Sequence, residues 1–175
     1  MDKYHEPTIA RKEIFNGKVI HVVEDIVKVN DDEKTTRELV FHPGAAAILP
    51  ITKDGKIILV KQFRKPLEKE IWEIPAGKID VTDNEPIETA MRELEEEIQM
   101  TGDFSYLTDF YTSPGFANEK IYLYLATNLK TISHPKAGDF DEHLEIKAFE
   151  NDELPMLEDA KTIIAIQLAK SKGVL

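Results

Sequence analysis

Residues 77–100, which read GKIDVTDNEPIETAMRELEEEIQM, decide the fold of this chain. Pro86 suits the first turn of a helix, because its fixed φ is helical and its missing N–H has no partner there. Apolar residues recur at intervals of four, three and four, the spacing of one helical stripe. We therefore predict a helix from about residue 86 that faces a core with Ile87, Met91, Leu94 and Ile98.

The same helix carries Glu93, Glu96 and Glu97, which lie three and four positions apart and therefore share one side. Carboxylates this close repel each other unless a positive charge joins them, and hard cations such as Mg²⁺ prefer oxygen ligands. Arg92 can reach Glu96 one turn on, or a carboxylate in the preceding loop. A solvated acidic face is the plainer interpretation. The glycine corner and acidic loop before the helix favour an anion site at its first turn instead.

The rest of the chain reads mainly as strands. An Asn16-Gly17 hairpin signal opens a predicted antiparallel meander. This pattern predicts an α+β fold with a mixed sheet, divided into an N-terminal β-meander (1–42) and a main domain (43–175). The remaining strands are expected at about 45–51, 56–63, 70–75, 106–112, 120–129 and 143–149, with a final helix at 157–172.

Composition narrows the classes of function. The 175 residues include no cysteine, which excludes disulfides and thiolate metal sites. A net charge of −11 makes nucleic acid or an anionic membrane a poor partner, whereas divalent cations can join carboxylates to a diphosphate. The start of the chain has no apolar signal-peptide core, and no apolar run approaches a membrane span. We therefore expect a cytoplasmic protein.

Residues 77–100 resemble the Nudix box, G-x5-E-x7-R-E-U-x-E-E-x-G-U, where U is a bulky apolar residue. One extra residue separates the first glycine from the arginine, and Asn84 stands where the box has its first Glu, with Glu85 one place away as a substitute. Gln99 replaces the second Gly. The chain is nevertheless identified as a member of the Nudix hydrolase superfamily, which implies a mixed sheet sandwiched by helices. The matching residues are Gly77, Arg92, Glu93, Leu94, Glu96, Glu97 and Met100.

Flanking segments are similar to ADP-ribose pyrophosphatases from about residue 37 onwards. They include VKQFR (60–64), WEIPAG (72–77), SPGF (113–116), IYLYLA (121–126), DEHLEI (141–146) and DAKT (159–162). The resemblance implies Mg²⁺-dependent hydrolysis of ADP-ribose to AMP and ribose 5-phosphate, with Mn²⁺ as an alternative metal. One competing hypothesis is a pyrophosphatase for another nucleoside diphosphate sugar, such as GDP-mannose. The other is a non-catalytic ADP-ribose-binding regulatory module, which the retained glutamates and the lack of a basic region disfavour.

The resemblance also assigns roles at the reacting centre. Glu93, Glu97 and the backbone carbonyl of Ala76 are expected to hold the metal, and Glu96 to share it or support a ligand. A carboxylate outside the box is expected to orient or deprotonate the attacking water. Glu142 is our choice for this role, with Asp139 and Asp141 as rivals in the same loop.

Substrate-binding residues are expected on both sides of the box. By resemblance Arg64 clamps the diphosphate or terminal ribose, since arginine makes bidentate contacts with phosphate. Arg37 is a second candidate of this kind, and Ser113 and Glu119 match substrate-loop positions. Simple solvent exposure is the alternative for each of these side chains. The resemblance further implies a homodimer, with residue 15 and the strands in 19–29 as its interface.

Overall fold

The computed structural model describes residues 5–29, 33–136 and 143–175. These ranges form ten strands, two α-helices and a short 3₁₀ helix at Lys65–Leu67. The strands are β1 (Thr8–Asn16), β2 (His21–Lys28), β3 (Lys34–Phe41), β4 (Ala45–Pro50), β5 (Ile57–Arg64), β6 (Lys69–Glu73), β7 (Ala76–Lys78), β8 (Met100–Tyr111), β9 (Lys120–Thr131) and β10 (Glu145–Phe149). The helices are α1 (Pro86–Ile98) and α2 (Ala160–Ser171).

The chain divides into two compact units. The first comprises Met1–Gly44 and Tyr111–Lys120, and the second comprises Ala45–Phe110 and Ile121–Leu175. The boundary predicted from the sequence lies after residue 42. That prediction did not group residues 111–120 with the N-terminal strands, as the structure does.

The first unit is built on the antiparallel sheet β1-β2-β3, so the predicted meander is confirmed. Gly17 N donates to the Ile20 carbonyl at 2.9 Å and closes the turn after Asn16. Asp25 is buried on β2, and its carboxylate accepts hydrogen bonds from Arg11 at 2.7 and 2.8 Å. This bidentate pair ties β1 to β2 through a charge-assisted contact.

The second unit contains two sheets. One has the order β10-β5-β6 and is antiparallel, and the other has the order β7-β4-β9-β8. In the second sheet β4 pairs parallel with β9 and antiparallel with β7, which is the predicted mixed sheet. Alternate residues of β4 point to opposite faces. Ala46 and Ile48 pack with α1 residues, while Ala47 and Leu49 pack with α2 residues, so helices cover both faces of the strand.

Two helix predictions need correction. Met91 is 48% exposed and does not belong to the buried stripe of α1. Glu93 and Glu97 are buried together with Leu94 and Ile98, so the buried face is turned toward the two carboxylates. Helix α2 begins at Ala160 rather than near residue 157, because the residue before it is a capping aspartate. Neither α1 nor α2, the α-helices of the described ranges, has the length and apolar character of a membrane span.

Candidate active site

The central feature of the site is the contact between α1 and the corner at the start of β7. Glu93 and Glu97 are both buried on α1, at 8% and 7% exposure. A Cβ atom at residue 77 would overlap the carboxylate of Glu93, so only glycine permits this approach. The helix therefore presses a buried carboxylate directly onto the backbone beside Ala76.

This arrangement supplies oxygen donors of the kind that Mg²⁺ and Mn²⁺ prefer, so the residues present fit a divalent cation. Across the part of the chain that the structure describes, no group of three or more His, Asp or Glu side chains is already gathered in metal-binding geometry. The joint ligation of a metal by Glu93, Glu96 and Glu97 therefore stays a prediction.

Arg92 supplies a positive charge beside these carboxylates. Its Nη1 lies 2.6 Å from Glu93 Oε1 and donates to Glu96 Oε2 at 3.0 Å. Its Nη2 donates to the Lys78 carbonyl at 3.4 Å and lies 3.7 Å from Asp83 Oδ2. Burial opposes its charge, but Glu93 and then Glu96 outweigh burial and raise the pKa of Arg92. Arg92 therefore makes both contacts that its position allowed, one with Glu96 in the next helical turn and one with a carboxylate in the preceding loop.

Asp83 supplies the loop carboxylate beside Arg92, although Glu85 was the expected substitute for the first glutamate of the box. Thr89 Oγ1 donates to Asp83 Oδ2 at 2.7 Å, and this hydrogen bond lowers the pKa of Asp83 despite partial burial. A signal for Asp83 was present in the sequence. Counting forward from Gly77, the glutamate of the box pattern falls on residue 83, whereas counting back from Arg92 it falls on residue 84.

A second charged cluster, which the sequence analysis missed, is centred on Glu73 at the end of β6. This carboxylate is 2% exposed and accepts from Arg64 Nε at 2.6 Å and Nη2 at 2.7 Å. Lys161 Nζ donates to Glu73 Oε2. Burial opposes the charge on Glu73, but the hydrogen bonds from Arg64 and the charge of Lys161 outweigh it and lower its pKa. The available signal was alternation, since Glu73 shares a strand face with buried Ile71.

The start of α2 is fastened to the residues between β6 and β7. The Asp159 carboxylate accepts from Thr162 N at 3.0 Å and from Thr162 Oγ1 at 2.5 Å, which caps the helix. Thr162 Oγ1 in turn accepts from Ile74 N at 2.8 Å. The helix start and the residues before Ala76 are thus joined by a buried hydrogen bond.

Arg64, the predicted diphosphate clamp, points its guanidinium at Glu73. This pair uses two of the five N–H donors that an arginine offers. The Glu73 hydrogen bonds raise the pKa of Arg64, and the charges of Asp159 and Glu97 add to this effect. Arg64 therefore lies within electrostatic range of Glu97 on α1.

Ser113 and Glu119 lie in the first unit, where both line a cavity of about 360 Å³. Glu119 Oε2 accepts from Thr112 Oγ1 at 2.7 Å, and Glu119 Oε1 lies 3.7 Å from His42 Nδ1. His42, which the sequence analysis did not select, also lines this cavity, and its Nδ1 accepts from Gly44 N at 3.0 Å.

Arg37 also lies in the first unit, on β3. It donates to Glu6 from Nε at 2.9 Å and from Nη2 at 2.7 Å, and 40% of its side chain is exposed. Glu142 and its rivals Asp139 and Asp141 lie outside the described residues.

Comparison with known proteins bears on this geometry. Residues 40–168 match the family profile described as the NUDIX domain. The chain belongs to the Nudix family. This Nudix chain is 45% identical to the ADP-ribose pyrophosphatase of Bacillus subtilis, over 100% of its own length and 98% of that protein. It is 41% identical to the methanol dehydrogenase activator of Bacillus methanolicus, over 98% of its own length and 96% of that protein.

A solved structure described as an ADP compounds hydrolase superposes on the Nudix chain with a TM-score of 0.83. The two sequences are 21% identical, and the match covers 97% of each chain, so this likeness shows the fold. Together with the family match, these findings establish the chain as a Nudix hydrolase with the predicted α+β fold.

Proposed function

We propose that this Nudix hydrolase splits the diphosphate bond of ADP-ribose and releases AMP and ribose 5-phosphate. The observation that carries this proposal is the buried carboxylate of Glu93, which lies against Gly77 beside the buried Glu97. Buried carboxylates on a helix that faces a glycine corner suit a metal-bound diphosphate rather than a neutral ligand. The substrate is supported by 45% identity to a protein named ADP-ribose pyrophosphatase.

Mg²⁺ is the proposed cofactor, with Mn²⁺ as the alternative. Glu93, Glu97 and the carbonyl of Ala76 would hold it, and Glu96 would complete or support this set. When bound, the metal neutralises the diphosphate oxygens and makes water a stronger nucleophile. Arg92 holds Glu93 and Glu96 in place while their charges are available to the metal.

The chain's other residues bind substrate and move a proton. In our proposal Arg64, held by Glu73, directs its remaining N–H donors at the diphosphate. Glu142 accepts the proton of the attacking water, since a base needs hydrogen-bond reach of that water but need not bind metal. Arg37, Ser113 and Glu119 bind the remainder of the substrate.

We also propose that the enzyme is a homodimer. The first unit exposes six large apolar side chains on β1, β2 and the turn between them. Exposed apolar patches of this kind commonly mark protein interfaces. The exposed residues are Ile9, Ile14, Phe15, Val19, Ile20 and Ile26, with exposures between 38% and 54%.

A substrate panel tests the proposed activity. The purified chain is incubated with Mg²⁺ and, separately, ADP-ribose, GDP-mannose and other nucleoside diphosphate sugars, and the products are separated by chromatography. We expect the highest kcat/KM for ADP-ribose and no turnover in excess chelator. A higher kcat/KM for GDP-mannose would make that compound, and not ADP-ribose, the preferred substrate. Tight binding of ADP-ribose without turnover of any compound would indicate a binding module instead.

A further inference from the structure

Lys161 occupies a position that helix stability does not explain. It is the second residue of α2, where the positive end of the helix dipole disfavours a cation. It is also buried, with only 9% of its side chain exposed. A buried ion pair is often no more stabilising than a well-packed apolar pair of similar volume. A role in stability alone therefore accounts poorly for a lysine here.

The contacts of Lys161 point to Glu73. Lys161 Nζ reaches Glu73 Oε2 and lies 3.1 Å from Asp159 Oδ2. Glu73 Oε2 is the same atom that accepts from Arg64 Nη2 at 2.7 Å, so one carboxylate oxygen is shared by two cations. Lys161 thus holds Glu73 Oε2, the oxygen that also fixes Nη2 of the Arg64 guanidinium.

Because this oxygen is shared, Lys161 can restrain the orientation of Arg64. A carboxylate rotates easily about its last torsion, which has broad preferences. The Lys161 contact restrains that rotation, and the bidentate pair transmits the restraint to Arg64, whose fork geometry follows the carboxylate plane. The hydrogen bond that Ile74 N donates to Thr162 Oγ1 anchors the same helical turn to the chain beside Glu73.

We propose that Lys161 is a positioning residue that acts through Glu73 to orient Arg64 for binding a nucleoside diphosphate. The inference rests on the proposed function only in taking a diphosphate as the ligand of Arg64. Lys161 itself does not touch substrate in this scheme. Its effect is on binding, which Arg64 supplies equally to the substrate and to the transition state.

Steady-state kinetics of Lys161→Met test the proposal. Loss of uniform binding raises KM and leaves kcat unchanged. We expect KM for ADP-ribose to rise at least about 10-fold, the scale of one charge-assisted hydrogen bond, with kcat within about threefold. Lys161→Arg retains the charge and should bring KM back to within about threefold of wild type. Lys170→Met, an exposed lysine on the same helix, is the matched control and should change neither constant.

A double-variant cycle separates the route through Glu73 from general packing. Glu73→Gln should raise KM, and Lys161→Met added to it should cause no further rise. The proposal would be overturned if the KM increases of the two single variants multiplied in the double variant. An unchanged KM in folded Lys161→Met would also overturn it. Lys161→Gln, which keeps a donor without the charge, replaces Lys161→Met if circular dichroism shows that the latter does not fold.

A binding readout keeps the test independent of turnover. Calorimetry with ADP-ribose in excess chelator should show the same ratio of Kd values between Lys161→Met and wild type as the ratio of KM values. If the wild type prefers another nucleoside diphosphate sugar, the same comparisons with that compound test Lys161, and only the substrate assignment fails. Equal Kd values for the preferred compound would refute the positioning role.

Discussion

At the scale of single residues, Gly77 sets the distance between the corner and α1. Its φ is not among the positive values of the chain, so alanine fits the backbone conformation there. The three atoms nearest to a Cβ at this position all belong to the Glu93 carboxylate. We predict that Gly77→Ala displaces this carboxylate and lowers kcat at least about 10-fold, because a small displacement of a catalytic group is costly. Steady-state assays at saturating Mg²⁺ check this, and an unchanged kcat would show that Glu93 needs no close approach.

At Gln99, in contrast to Gly77, replacement by glycine should help the fold. Gln99 adopts a left-handed conformation with φ 59° at the end of α1. The Nudix box has glycine at this place, and glycine adopts such a conformation without steric cost. Gln99→Gly should therefore stabilise the fold by about 0.5–1 kcal/mol and leave kcat unchanged. Gln99→Ala is the control, since it keeps the strain and should give no gain. Urea unfolding measures both variants, and a less stable Gln99→Gly would contradict the account.

At the scale of elements, β5, β6 and α2 meet at the buried Glu73. Its pKa is lowered in the folded protein, so its charge stabilises the fold above the usual glutamate pKa of about 4.3. That contribution is lost as pH falls below this value toward the lowered pKa. Glu73→Gln leaves the buried Lys161 and the half-buried Arg64 without their carboxylate at neutral pH. Removing one partner of a buried ion pair costs roughly 3–5 kcal/mol.

We therefore predict that the gap in unfolding free energy between wild type and Glu73→Gln is widest at pH 7 and narrows below about pH 4.3. Urea unfolding over a series of pH values, taken down to the lowest at which wild type folds, measures the gap. Glu70→Gln on the exposed side of β6 is the control and should show a gap near zero throughout. A gap for Glu73→Gln that stays constant with pH would mean that its charge does not stabilise the fold.

The sequence predicted helices and strands better than it predicted the contacts between them. Strand alternation and the proline in the first turn of α1 predicted the meander, the mixed sheet and the acidic helix, because these patterns depend on neighbours two to four positions away. Met91 was misplaced because α1 buries Glu93 and Glu97 instead, and a pattern of apolar residues does not predict buried carboxylates. The Lys161–Glu73 pair joins positions 88 apart, and periodicity carries no information about such a contact. The placement of residues 111–120 in the first unit is likewise a long-range result.

At the scale of the whole molecule, the exposed apolar side chains of the first unit lead to a prediction about assembly. We expect light scattering at micromolar concentration to return twice the chain mass of 19.9 kDa. Phe15→Glu should shift this equilibrium toward monomer, because a buried unpaired charge is costly at an interface. Lys12→Glu on the same strand, which removes no apolar surface, is the control. A wild-type mass of 19.9 kDa would refute the dimer.

In the proposed mechanism, the buried carboxylates of α1 drive metal-assisted hydrolysis of ADP-ribose. The most direct test compares AMP release from ADP-ribose by wild type, Glu97→Gln and Glu95→Gln at saturating Mg²⁺. Glu95 lies on the same helix, where it accepts a hydrogen bond from Lys136 N, so its variant makes the same charge change away from the proposed ligands. We predict that Glu97→Gln folds but loses at least about 10²-fold in kcat, while Glu95→Gln stays within about threefold of wild type. Near wild-type release of AMP by Glu97→Gln would contradict the account.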